Sequence, residues 1–543
     1  MDAHSHCDVA IVGAGIAGLT SAALLSKAGL RVVVFESEPH PGGCLQSFHR
    51  DGFTFDTSIE WLSQCRPGGF LARIHDHLGS DGPRYQALHR INRHKSARHD
   101  YLLTTDPLAL RDQLIRDFPG ESQGIHNLFR DARILGHHLR KLDNRMRSME
   151  TMSAPEKLRY GLSMLRWVWP IRRFASTTAT QGLSRYFQAG ALRDLFHSDD
   201  SLLSVLIPIG MAFTADFQKP PPGGGSAMVN WLLGKIAAAG GALCVNQRVD
   251  QILVNTRGEA RGVRLASGQN IESRHVIAAC DAEALFTRMV PPERISARWT
   301  RRLREADIYH SSFSIYLGLN CSAASLGLNE ELIRLTDPAV PPSERARGEA
   351  RSTVITLLSP SFRDPSLAPD GKATLVIQCP AFLAYHNAWE TGMGLERGEP
   401  YRRLKQVFAD TLLDRVEHDL IPGLRRHIEV MEIGSPVTFV RHTGNRGGSI
   451  MGHRPTRKNI RSGLARIQTP IRRLWLGGQW AEYGGGIPMA TKAAVNASLL
   501  VLRDMRPDAY SSLLAVVDGR EKPARTESDA LPSYCANSRQ RFR

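Results

Sequence analysis

Apolar residues gather in short unbroken runs near the start of the chain. Val9 to Val12 is one such run, and Val32 to Phe35, in the strand read from Arg31 to Phe35, is a second. Runs of this length without polar alternation predict strands buried on both faces of a parallel sheet. Between them, Ile16 to Ala28 reads as a helix, and Gly29 is placed to end it. The turn that enters the helix is Gly13-x-Gly15-x-x-Gly18, and the second strand ends on Glu36. Gly13 permits a tight turn, Gly15 lets backbone approach a pyrophosphate, and Gly18 lets the helix pack close to the strand. The helix start at Ile16 and Ala17 offers N–H groups and a positive dipole end to phosphates. Glu36 is placed to accept hydrogen bonds from ribose hydroxyls. Strand, turn, helix, strand and acid all fit a dinucleotide site, which a chance glycine cluster leaves unexplained.

The apolar pattern returns after Gly223. A helix is predicted from Ser226 to Ala239, followed by strands in ALCVNQRVDQILVN, ARGVRLASG and NIESRHVIAACD. The last of these is expected to rejoin the parallel sheet. No second GxGxxG in a strand–helix setting follows, so no separate NAD(P)H domain is expected. Near the end, a strand from Leu474 to Leu476 leads into Gly477-Gly478, the loop QWAEYGGGIP, and a helix from Ile487 to Leu502. Bare backbone ahead of a helix start suits a ligand that must come close to N–H groups.

Pro41-Gly42-Gly43 follows closely on Glu36. Here the chain resembles the flavoprotein class whose dinucleotide motif is followed by a Gly-Gly pair: amine oxidases, GDP-dissociation inhibitors, and carotenoid desaturases and isomerases. Gly-Gly-Cys is similar to retinol saturases. Gly484, Gly486, Ile487 and Pro488 match the Gly-x-Gly-x-Pro that opens the last helix of phytoene desaturases. The resemblance implies an α/β fold, with a Rossmann-like FAD-binding domain and an inserted α+β substrate domain. It implies FAD contacts at Gly13, Gly15, Ile16, Ala17, Gly18, Glu36, Gly43, Cys44, Val249, Gly478, Gly486, Ile487, Pro488 and Met489. The FAD domain is then discontinuous, over 1–75, 223–300 and 465–508. A mostly helical insert spans 76–222, and the second part of the substrate domain spans 301–464. The tail 509–543 loses apolar periodicity and reads as disordered.

The activity implied is that of an FAD-dependent oxidoreductase of the carotenoid desaturase or isomerase type. It would act on a long apolar polyene or isoprenoid by hydride or electron transfer, with O2 or a quinone as electron acceptor. Desaturation, saturation and isomerisation stay open. So do an amine or amino-acid oxidase on the same scaffold and a non-redox prenyl-binding module. Glu482 and Tyr483, just before the flavin-facing glycines, are the acid/base candidates. FVRHTGNRGGSIMGH resembles carotenoid-isomerase-like proteins, which would put Arg441 or Arg446 near the cofactor or cavity.

Composition changes the picture in two places. The net charge of +16 comes mostly from arginine, but no basic stripe with interleaved aromatics suggests nucleic acid. The eight cysteines form no C-x-x-C pair and no zinc spacing, so no metal is expected. With no signal peptide and no spanning segment in evidence, the expected location is cytoplasmic. Within 155–175, Leu158, Leu162, Leu165 and Trp169 share a helical face flanked by Lys157, Arg159, Arg166, Arg172 and Arg173. That pattern fits either an interfacial helix at a membrane or a core helix with a charged outer face.

Overall fold

The structure is a computed structural model that describes residues 6–520 except 58, 143–144, 176, 198–200 and 393. The side chains of 166–168 and 175, Arg166 among them, are also outside the description, as is the tail beyond 520.

Burial on both faces accounts for the unbroken apolar runs. Strand His6–Val12 lies at the centre of a seven-stranded sheet, with Val9, Ala10 and Ile11 fully buried. It pairs in parallel with Val32–Phe35 on one side and Asn270–Ala278 on the other. Ala242–Cys244 extends the sheet beyond Val32–Phe35. Leu474–Leu476 pairs in parallel with the end of Asn270–Ala278. The hairpin of Val249–Val254 and Ala260–Leu265 pairs with the start of that same strand. Three stretches of chain far apart in sequence therefore build one sheet. The segment read as the single strand ALCVNQRVDQILVN divides in two, because Asn246 turns at a φ of 54° and sends its halves to opposite edges.

A second seven-stranded sheet runs in the order Ile428–Gly434, Ser311–Leu319, Ala373–Ala381, Ile355–Leu358, Leu332–Leu335, Arg90–Lys95, Asp100–Thr104. Its last two strands come from 76–222, which also carries the helices Ser122–Leu142 and Leu203–Phe213. Arg90–Lys95 pairs in parallel with Leu332–Leu335, so both inserted stretches share this sheet. One face packs under helix Glu399–Asp419 through Phe408, Leu412 and Leu413. At one end the other face meets Phe53 and Phe55 through Tyr316 and Val376.

The reading of the tail needs correction at its start. Residues Pro507–Val517 form a helix with Leu513, Val516 and Val517 buried. Arg73, itself buried, donates from Nε to the Val516 carbonyl at 3.0 Å, which ties this helix to the first part of the chain. Periodicity over so few residues is a weak signal, and here a distant arginine supplies the anchor.

Helix Ala154–Val168 begins with a capping box at Ser153 and Glu156. Leu158, Leu162, Leu165 and Trp169 each keep 60–68% of their surface exposed, so this stripe is no part of a core. Among the described residues, no helix is long and apolar enough to cross a membrane.

Candidate cofactor and active site

Helix Ile16–Lys27 and helix Gly486–Met505 pack side by side, with Ala17, Ala490 and Ala494 at their contact. The Ser21 hydroxyl donates to the Ala494 carbonyl at 3.3 Å. Small side chains let the axes come close, and both helices start at one cavity of about 1180 Å³. That volume exceeds the usual range for a single small ligand, roughly 300–1,000 Å³, and suits a cofactor with a substrate beside it.

The first helix start is built for close approach. A side chain added at Gly15 would meet nothing within 4 Å and would project into open space. One added at Gly18 would lie 2.0 Å from the Gly13 carbonyl oxygen, so the helix sits against the turn because both residues are glycine. Gly42 N–H donates to the Ala14 carbonyl at 2.8 Å, which lays the Gly-Gly segment along the turn. Glu36 is fixed where its strand ends: its carboxylate accepts from Ala14 N–H at 2.7 Å and from Glu38 N–H at 3.0 Å.

The second helix start follows three glycines in the left-handed region, with φ of 96°, 60° and 77° at Gly484, Gly485 and Gly486. Other residues adopt that backbone only at a cost, three times in succession here. The run turns the chain sharply, so that Gly486 to Met489 face the cavity.

Thirteen of the fourteen residues that the resemblance assigns to the cofactor line this one cavity: Gly13, Gly15, Ile16, Ala17, Glu36, Gly43, Cys44, Val249, Gly478, Gly486, Ile487, Pro488 and Met489. Gly18 does not line it and acts through packing. The cradle fits FAD. Two helix N-termini favour negative charge, Glu36 would accept from ribose hydroxyls, and Gly15 leaves space for a phosphate. The thiols at the wall stay neutral. Burial pushes Cys44 up to about 11 and Cys280 up to about 12, and Asp281 adds to the second shift.

The two acid/base candidates fall elsewhere. Glu482 accepts from Lys492 Nζ at 2.8 Å, and Tyr483 donates to the Asn459 carbonyl at 2.6 Å; neither lines the cavity. The loop runs past the cavity there, and these side chains find polar partners on its outer side. Of the two arginines, Arg441 lines the cavity. Arg446 instead caps a helix end, donating to the carbonyls of Leu303 at 2.7 Å and Arg304 at 2.6 Å.

Two carboxyl groups went unmarked in the sequence. Asp281 lines the cavity and accepts from the backbone N–H of Ala284 at 2.8 Å and of Arg446 at 2.9 Å; burial pushes its pKa up. Glu60 lines it too, and burial raises its pKa against the lowering pull of Arg334 and Arg363. Its signal was an acid among apolar residues in DTSIEWL.

Gly15→Val is expected to fold, because its side chain projects into space, yet to carry less than a tenth of the wild-type flavin. The absorbance of the purified protein measures this, and full flavin content would contradict the role given to the turn. A second outcome concerns His453, which is buried and donates from Nδ1 to the carbonyl of Trp480, a cavity residue, at 3.2 Å. Burial lowers its pKa to about 4. The folded state then binds this proton more weakly than the unfolded chain, so stability is full above about pH 6.5 and falls as pH drops toward 4. The loss from this group reaches about 3 kcal/mol at full protonation. His453→Asn should flatten the wild-type decline in Tm between pH 6.5 and 4, and an unchanged slope would contradict this.

The family model for flavin containing amine oxidoreductase matches residues 16–502. The chain is 26% identical to an all-trans-retinol 13,14-reductase from Danio rerio, over 95% of this chain and 89% of that protein. It is 24% identical to a chloroplastic prolycopene isomerase from Daucus carota, over 81% and 71% respectively. It is also 24% identical to a lycopene-forming phytoene desaturase from Pseudescherichia vulneris, over 91% and 99%. Among solved structures, an oxidoreductase from Methanosarcina mazei superposes with a TM-score of 0.59 at 17% identity, covering 92% of this chain and 99% of that one. That match shows the shared fold. With the cavity and its two helix starts, these matches place the chain in the flavin containing amine oxidoreductase family, as an FAD-dependent oxidoreductase.

Proposed function

We propose that the protein acts on a long apolar polyene or isoprenoid. The observation that carries this reading is the wall of the cavity outside the two helix starts. Ile59, Trp61, Leu62, Ile207, Ile450 and Met451 line it, and Ile207 comes from the inserted helices. Such a stretch favours a hydrocarbon chain, with polar residues such as Glu60, Gln64 and Arg441 elsewhere on the same wall. The three relatives named above, matched over most of this chain, bear the names of enzymes for retinol, prolycopene and phytoene.

When bound, FAD supplies hydride or electron transfer. The chain's own part is placement and dryness. Gly13 to Ala17 and Glu36 hold the dinucleotide end, and Gly478 with Gly486 to Met489 hold the ring end. Cys44 and Cys280 stay protonated and donate no negative charge. Glu482 is held by Lys492 and does not line the cavity.

A membrane is the source of substrate in this reading. The exposed stripe Leu158, Leu162, Leu165 and Trp169 lies beside Lys157, Arg159, Arg172 and Arg173, and the Arg172 guanidinium sits 3.2 Å from the centre of the Trp169 ring. Apolar surface edged by cations is complementary to an anionic bilayer.

Anaerobic mixing of the holoenzyme with polyenes and with amines should bleach the oxidised-flavin absorbance with a polyene and leave it intact with amines. Bleaching by amines alone would move the protein to the oxidase reading. For the membrane contact, Leu162→Glu combined with Leu165→Glu should cut co-flotation with phosphatidylglycerol vesicles at least ten-fold without loss of flavin. Equal flotation of variant and wild type would contradict it.

A further inference from the structure

The second sheet carries a polar row on the face turned away from helix Glu399–Asp419. Ile315, Ile377, Leu357 and Ile333 belong to the core under that helix. Side chains alternate along a strand, so their neighbours fall on the opposite face. Across five adjacent strands, Ser314 pairs with Gln378, Gln378 with Thr356, Thr356 with Arg334, and Arg334 with His94. A sheet facing a pure hydrocarbon site gains nothing from such a row.

Glu60 joins this row to the cavity. It lines the cavity wall, and the Gln378 side-chain amide donates to its carboxyl. The other cations around it are engaged. Arg363 donates to the carbonyls of Glu60 and, at 2.7 Å, Glu330. Lys219 pairs with Glu330 at 2.6 Å and Arg90 with Glu331 at 2.7 Å.

Arg334 differs. Among the described residues, its guanidinium has no hydrogen bond and no carboxylate within 4.0 Å; its electrostatic partner, Glu60, stands farther off. Arg334 stays accessible, yet surrounding protein burdens its charge and lowers its pKa. Arg334 does not itself line the cavity; the row reaches the cavity at Gln378, whose amide bonds the lining residue Glu60. Burial pushes the Glu60 carboxyl up, against the lowering pull of Arg334 and Arg363. His94 brings no second charge: burial, with Arg334 beside it, pushes its pKa down to about 3.

We infer that Arg334, with Thr356 and His94 beside it in the sheet, binds the terminal carboxylate of an apolar-chain substrate. The guanidinium fork matches a carboxylate in two hydrogen bonds. Thr356 and neutral His94 each add a donor. Within this row Arg334 is the one cation without an ion pair among the described residues, which fits a single negative charge there; Arg288 and Arg441 line the cavity elsewhere. The substrate class is then a polyene or isoprenoid acid, its chain running along the apolar wall toward the helix starts. This assignment rests on the polyene reading of the cavity.

The test uses the holoenzyme and three probes with the same C20 polyene chain: all-trans-retinoic acid, all-trans-retinol, and the hydrocarbon lacking the oxygen. Affinities come from tryptophan fluorescence titration. The acid should bind at least ten-fold more tightly than the hydrocarbon. Arg334→Gln should erase that preference while hydrocarbon affinity stays within two-fold and flavin content is unchanged. Arg334→Lys should keep part of it. An acid that binds no better than the hydrocarbon overturns the assignment, as does an Arg334→Gln variant that weakens all three probes equally. If the hydrocarbon binds and a polyene bleaches the flavin without any advantage for the acid, the head-group site falls and the polyene reading stands. If no probe binds and an amine bleaches the flavin, both fall.

Discussion

The contact between helices Ile16–Lys27 and Gly486–Met505 is the constraint on which the site depends. Alanines at the crossing, and Ser21 bonded to the Ala494 carbonyl, let the two helices lie close. Because they run from the same end of the first sheet, their N-termini open on one cavity. Each N-terminus carries roughly half a positive charge and unpaired N–H groups. The two helix starts, separated by some 470 positions of chain, suit a dinucleotide with its pyrophosphate at one and its flavin ring at the other. The strands Asn270–Ala278 and Leu474–Leu476 bring the second helix back to the first.

The electrostatics of the cavity follow from that arrangement. Positive helix ends face the cavity, and the nearby acids accept from backbone donors, as at Glu36 and Asp281. The thiols are neutral because burial opposes their ionisation. The loop carboxylate Glu482 is bound by a lysine outside the cavity. In the proposed reading the cofactor supplies the chemistry and the protein contributes shape and fixed dipoles. Farther along, the second sheet carries Arg334, a cation with no ion pair among the described residues.

The local patterns were legible in the sequence where geometry demands particular residues. A turn that needs Gly15 and Gly18, a strand buried on both faces, and three glycines with positive φ leave a mark in a single stretch of chain. Features made by distant pairing leave none. Arg90–Lys95 reads RINRHK, too polar to suggest a strand, and becomes one by pairing with Leu332–Leu335. The tail helix escaped notice because its anchor is Arg73. Glu60 and Arg334 escaped because a charged residue between apolar neighbours looks the same in a sequence whether it faces solvent or a cavity. Glu482 and Tyr483 were chosen for lying next to the glycine loop, and adjacency in sequence does not fix direction in space.

The central claim is that both ends of the chain hold one dinucleotide. A crystal structure of the FAD-loaded protein tests it most directly. The account predicts the pyrophosphate against the backbone N–H groups of Gly15 to Ala17 and the flavin ring against Gly486 to Met489, in the same cavity. A cofactor that touches only one of the two helix starts, or lies elsewhere, would contradict it.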